Sequence, residues 1–194
     1  MSRNTRSRLR APAIFAVLVV LFQASAAHAA ERFSFEENLQ GWTRDHFIDC
    51  EQDPEPCDFN WRINRSTQQA RNGNTSLKMF LDGTNDDGTI WLERRFDAKP
   101  NSTTEVTIRF WLWSEGESDF NTWPVVAYAG RANPETEEDF TIIGQTDRRA
   151  GWARYELVQK VTTGPSGRIW IGFGLGATWE TPRTYFIDSV RVAL

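Results

Sequence analysis

Histidine, cysteine and methionine are scarce in this chain of 194 residues, which holds two of each. His28 falls in an N-terminal stretch that reads as a leader, so His46 alone remains to serve a Ser-His-Asp set or an imidazole-rich zinc site, and both chemistries are set aside. Cys50 and Cys57 lack the CxxC spacing and the additional ligands that a redox or metal pair needs. In an oxidising compartment they are expected to form a disulfide across the Glu51 to Pro56 loop. A membrane-spanning helix needs about 20 apolar residues. Ala11 to Phe22 is the longest run, and it follows Arg3, Arg6, Arg8 and Arg10 and precedes Ala27-His28-Ala29, the layout of a cleaved signal peptide. The expectation is therefore a leader over residues 1–29 and one domain over 30–194, secreted or periplasmic and not inserted in a membrane.

Basic residues are also outnumbered. Four of the 22 Lys and Arg and none of the 26 Asp and Glu lie in the leader, so the net charge moves from −4 to 18 against 26, or −8. An acidic domain is a poor match for a phosphate backbone or an anionic lipid surface, and nucleic acid is excluded as a partner.

What is present is a set of short apolar alternations between turn signals, with no long helical pattern: an all-β, antiparallel β-sandwich. Strands are expected at Arg32 to Phe35, Phe59 to Asn64, Ser76 to Leu81, Thr89 to Phe96, Glu105 to Trp113, Trp123 to Tyr128, Phe140 to Gln145, Ala153 to Val161, Arg168 to Phe173 and Tyr185 to Ala193. Asn133 to Asp139 reads as an acidic surface loop. In Glu105 to Trp113, Val106, Ile108, Phe110 and Leu112 share one face, and Thr107, Arg109, Trp111 and Trp113 share the other. The aliphatic set belongs inside. Trp91, Glu93 and Arg95 stand likewise opposite Ile90, Leu92 and Phe96, and Trp170 opposite Ile169 and Ile171.

Four segments resemble the jelly-roll carbohydrate-binding modules of the galactose-binding-like superfamily. They are Phe33-Ser34-Phe35-Glu36 with Gly41-Trp42, Ala70 to Lys78, Gly151 to Leu157, and Ile171 to Gly176 with Tyr185 to Val192. The resemblance implies a jelly roll. It also implies a structural calcium ion where the first and last strands meet, near Glu36, Asn72, Thr75 and Asp188, which offer the oxygen ligands calcium prefers. Where many relatives carry an acid in the turn, this chain has Asn72.

Nine tryptophans is a high count, and indole planes stack on sugar faces while arginine and carboxylate groups bond the hydroxyl edges. Trp111, Trp113, Trp91 and Trp170, with Arg109, Glu93 and Arg95, form one shallow groove if their strands are neighbours in one sheet. Trp179 and Tyr185 offer an alternative site at the loop end. Trp42 and Trp152 read as packing residues. Glu115, Glu117 and Asp119 do not match the Glu-x-Asp-x-x-Glu spacing of jelly-roll hydrolases and read as a hairpin turn, so no catalytic residue is assigned. The leading expectation is a non-catalytic, monomeric carbohydrate-binding protein for a polysaccharide or oligosaccharide. A protein-interaction domain on the same fold and a small glycan-active enzyme stay open as alternatives.

Overall fold

The computed structural model describes residues 30–49, 60–83, 86–179 and 181–194. The expected leader and the Cys50 and Cys57 pair lie outside these residues. The described strands are β1 (Glu31–Phe33), β2 (Thr43–Phe47), β3 (Trp61–Ser66), β4 (Ser76–Leu81), β5 (Thr89–Asp97), β6 (Thr103–Ser114), β7 (Pro124–Gly130), β8 (Thr141–Gln145), β9 (Gly151–Thr162), β10 (Arg168–Gly176) and β11 (Arg183–Ala193). Each of the ten expected strands falls on one of them. The eleventh, β2, reads Thr-Arg-Asp-His-Phe and is mostly exposed; it is an edge strand with no apolar alternation to betray it.

Two antiparallel sheets result. One runs β3-β4-β11-β6-β9, with β1 also on β11; the other runs β2-β5-β10-β7-β8. The alternation explains how they face each other. Val106, Ile108, Phe110 and Leu112 are fully buried, as are Ile90, Leu92, Ile169, Ile171 and Phe173 of the opposite sheet, and together they form the dry middle of the sandwich. At one end Trp42 meets Phe33, Phe96 and Phe173 edge-on, so it is a packing residue as expected, and Arg94 lies over Phe33 and Phe96. Along one side β2 and β3 close the sandwich: the Arg44 guanidinium donates to the Ile63 carbonyl, and His46 stacks on Trp61 at 4.6 Å.

The last strand organises its sheet. One side of β11 pairs with β6. The other pairs with β4 as far as Ile187, opposite Leu77, and with β1 from Val190 onwards, opposite Phe33. β4 and β1 therefore lie end to end along β11. In the gap, the β11–β6 register shifts between Asp188 and Arg191, a β-bulge with Ser189 in the left-handed region at φ 56°.

At the far end a buried polar cluster surrounds Tyr185. Its hydroxyl donates to Asp147 at 2.6 Å and accepts from Thr146 at 3.0 Å, while Arg183 donates to the same Asp147 oxygen at 2.8 Å. Burial, then the Asp147 acceptor, push the Tyr185 phenol well above its ordinary value of 10.0. Burial also raises Tyr155 and Tyr128 above the same value. Above pH 10 the unfolded phenols ionise first, the folded state holds more protons, and stability falls as pH rises. Thermal unfolding should show Tm declining above pH 10. Tyr185→Phe should lower stability at neutral pH by about 1–2 kcal/mol and make the alkaline decline shallower. A decline as steep as that of the wild type would exclude Tyr185 as a source.

Candidate functional site

The outer face of the β3-β4-β11-β6-β9 sheet presents its side chains in rows across the strands. Arg109, Trp111 and Trp113 point away from the core because their neighbours Ile108, Phe110 and Leu112 point into it. The register sets Trp113 between Phe186 of β11 and Trp152 of β9, and the Phe186 ring meets Trp113 edge-on at 5.6 Å. Two residues along β6, about 7 Å away, Trp111 lies between Asp188 and Arg154. Another two residues along, Arg109 lies between Arg191 and Glu156 and forms an ion pair with Glu156. Over this region sits the turn before β4, with the Arg71 guanidinium 3.7 Å from the Trp111 ring centroid. A hollow of about 540 Å³ opens between the turn, β1, β11 and β6.

The turn is held by two carboxylates. Asp188, fully buried in the gap between β4 and β1, accepts the backbone N–H groups of Arg71 at 2.8 Å and Asn72 at 3.0 Å, and that of Ser189. Glu36 accepts the N–H groups of Asn74 and Thr75 at 3.1 to 3.3 Å. Between these pairs Gly73 adopts φ 76°, and a side chain there would collide with the Glu36 carboxylate. Thr75 Oγ1 donates to the Phe35 carbonyl at 2.8 Å. The Arg65 guanidinium donates to the carbonyls of Phe35 and Glu36. Burial raises the Asp188 carboxyl above its ordinary value, the three N–H donors pull it down, and the Glu36 charge adds to the rise.

The residues expected to hold calcium do converge, and in this structure their oxygens are engaged by N–H donors and a guanidinium. The carboxylates engage backbone N–H groups, and a cation already covers the main-chain carbonyls. Among the described residues no group of three or more His, Cys, Asp or Glu side chains could hold a metal ion.

The remaining expected ligand residues lie elsewhere. Trp91 and Glu93 are on β5 and Trp170 on β10, so they belong to the other sheet and share no groove with Trp111, Trp113 and Arg109. Trp91 and Glu93 are also covered. Trp91 Nε1 donates to Glu93 at 2.8 Å, and the Phe140 ring lies 5.0 Å from Trp91 and 5.9 Å from Tyr128. Gly172 makes room for this, since a Cβ there would press on Phe140, and a Cβ at Gly174 would strike the Ile90 carbonyl and the Trp91 backbone of the neighbouring strand. The Asn133 to Asp139 segment, with its short 3-10 turn Glu137–Asp139, leads into Phe140, so this face has a lid, which alternation alone does not reveal. Trp170 is half-buried opposite Arg95 at the margin of that face.

With this geometry in hand, comparison with solved structures is informative. The chain is similar to a carbohydrate-binding module of the β-sandwich superfamily (TM-score 0.52, 18% identity, covering 81% of this chain and 59% of that one). It is also similar to a xylan-binding domain from Paenibacillus barcinonensis (0.52, 15% identity, covering 88% and 97%). The fold is that of jelly-roll carbohydrate-binding modules. A cleaved adhesin domain of Lys-gingipain from Porphyromonas gingivalis shares it as well (0.50, 14% identity, covering 84% and 97%). No family model matches the chain, and no curated protein does.

Of the side chains gathered on or beside this outer face, sequence reasoning placed Trp111, Trp113 and Arg109 there and did not place Trp152, Phe186, Arg71, Arg154, Arg191 or Arg32. Trp152 carried a signal: Trp152, Arg154 and Glu156 alternate with Ala153, Tyr155 and Leu157, as on β6. Arg71 carried none, since its position depends on a turn closed by carboxylates distant in sequence.

Asp188→Ala leaves three part-buried N–H groups without their acceptor. It should cost about 1–3 kcal/mol, a fall in Tm of roughly 2–12 °C. Glu36→Gln should cost less, about 1 kcal/mol. In thermal unfolding, EDTA should leave the wild-type Tm unchanged, and a calcium-dependent rise would overturn the clamp as drawn.

Proposed function

We propose that the protein is an exported, non-catalytic carbohydrate-binding protein that docks a glycan on the outer face of the β3-β4-β11-β6-β9 sheet. One observation carries the reading: Trp113 and Trp152, both half-buried, stand side by side across β6 and β9 on the outer face, with the buried Phe186 ring edge-on to Trp113 and with Trp111 and Arg109 in the next rows. Rigid aromatic planes suit the C–H faces of sugar rings, and flanking guanidinium groups suit their oxygen edges. A polar hollow of about 380 Å³ lined by Asn60, Arg62, Asn64, Lys78 and Phe80 extends the same face over β3 and β4, giving length for a chain ligand. Further support is the shared fold with a xylan-binding domain.

The non-catalytic part rests on how the titratable groups at the sandwich end are engaged. Asp147 is tied to Tyr185 and Arg183, and Tyr185 is held protonated, so neither is set up as a base. Glu115, Glu117 and Asp119 are exposed on the turn after β6. A protein-contact reading has one observation in its favour: Phe120, 80% exposed, and Trp179, 46% exposed, occupy adjoining loops at this end, joined by a Thr178 bond to the Thr122 carbonyl.

Tryptophan fluorescence titrated with a panel of soluble polysaccharides should give a saturable change with at least one of them. Trp111→Ala with Trp113→Ala, checked for folding by circular dichroism, should weaken binding at least about tenfold. Silence across the panel, with a Phe120→Ala and Trp179→Ala variant losing capture of a protein partner, would favour the second reading.

A further inference from the structure

The hollow beside Trp111 is strongly basic. The chain carries more acidic than basic residues, yet five arginines border this one cavity: Arg32, Arg71, Arg109, Arg154 and Arg191. Three of them are direct cross-strand neighbours, since Arg32 of β1 pairs with Arg191 of β11 and Arg191 pairs with Arg109 of β6. Like charges directly opposite one another destabilise a sheet. Among the described residues the one carboxylate ion-paired to any of the five is Glu156, on Arg109. Asp188, next to the lining residue Ser189, is fully buried, and its oxygens accept the backbone N–H groups of Arg71, Asn72 and Ser189. A folded chain that gathers uncompensated guanidinium groups around a cavity of about 540 Å³ has built a site for an anion.

Two further features describe that anion. Ser189 Oγ, presented by the bulge, is buried at the rim of the hollow without a hydrogen-bond partner, a neutral donor or acceptor for a ligand oxygen. The Trp111 ring beneath Arg71 gives the hollow an apolar wall, continuous with the aromatic row at Trp113. We infer that this arginine pocket recognises an acidic sugar, one bearing a carboxylate or a sulfate ester, within the glycan lying on the aromatic row. The inference rests on the glycan-docking reading and names the ligand class for the same face. Planar guanidinium forks match both oxyanions bidentately, and the ring stacks while its charge enters the pocket. A nucleic acid fits less well, because residues 30–194 as a whole carry 18 basic against 26 acidic side chains.

The test uses matched pairs of probes with the protein lacking residues 1–29: polygalacturonate against its methyl ester, and dextran sulfate against dextran, by isothermal titration at low and high salt. The expected result is at least about tenfold tighter binding to the charged member of one pair, weakening as sodium chloride screens it; which pair responds tells carboxylate from sulfate. Arg32→Gln with Arg191→Gln should abolish that preference. Both side chains are exposed, so the variant should unfold at or above the wild-type Tm without ligand, and the charged glycan should raise Tm for the wild type only. Arg168→Gln, on the other sheet, should bind as the wild type does. Equal binding of charged and neutral members would overturn the acidic-sugar inference and leave glycan docking standing. Equal binding of inorganic polyphosphate would reduce the pocket to a general polyanion attractor and also overturn it. No binding to any glycan, charged or neutral, would bring down both readings.

Discussion

Two carboxylates decide the shape of the candidate face. Asp188 sits where β11 changes partner from β4 to β1, a point at which a sheet edge would otherwise stand open. Buried backbone N–H groups need acceptors, and an ionised carboxylate is the strongest available. By accepting those of Arg71 and Asn72, Asp188 fastens the turn over the gap, and Glu36 fastens its other half through Asn74 and Thr75. Arg71 is thereby set over Trp111, and the hollow gains its roof. The turn N–H groups bond both carboxylates, and Arg65 bonds the adjoining Phe35 and Glu36 carbonyls.

The two sheets share a core yet have outer faces of opposite character. On the β2-β5-β10-β7-β8 sheet, the glycine at 172 leaves a shelf on which Phe140 nests against Trp91, and the acidic segment before Phe140 folds over them. Burial raises the Glu93 carboxyl there, as does nearby acidic charge, while bonds from Trp91 and Asn133 offset part of the rise. On the other sheet the corresponding positions of β6, β9 and β11 carry aromatic and arginine side chains, and the turn before β4 covers only the part over Trp111.

Much of this was legible in the residues. Period-two alternation located ten strands and assigned Trp111, Trp113 and Arg109 to the outer side of β6, because parity is a local property. Parity says nothing about which strands are neighbours, and that is why Trp91 and Glu93 were grouped with residues of the other sheet. It is equally silent about coverage, which depends on a segment about 40 residues further on. The cross-strand arginines were invisible for the same reason: Arg32, Arg109 and Arg191 are separated by most of the chain and become adjacent only through β11. The resemblance found the meeting of Glu36, the 72–75 turn and Asp188; the identity of what they hold needed the hydrogen bonds.

The pairing of β1 with β11 joins positions about 160 residues apart, Glu31 with Val192. Contacts of such sequence separation form late, because the closing of a long loop must precede any gain from them. The first strand to be made therefore has no place in its sheet until the last one arrives, and the chain cannot complete its sandwich while its C-terminal part is still being synthesised. Since Arg32 and Arg191 come from those two strands, the pocket comes into being only with the final step of folding.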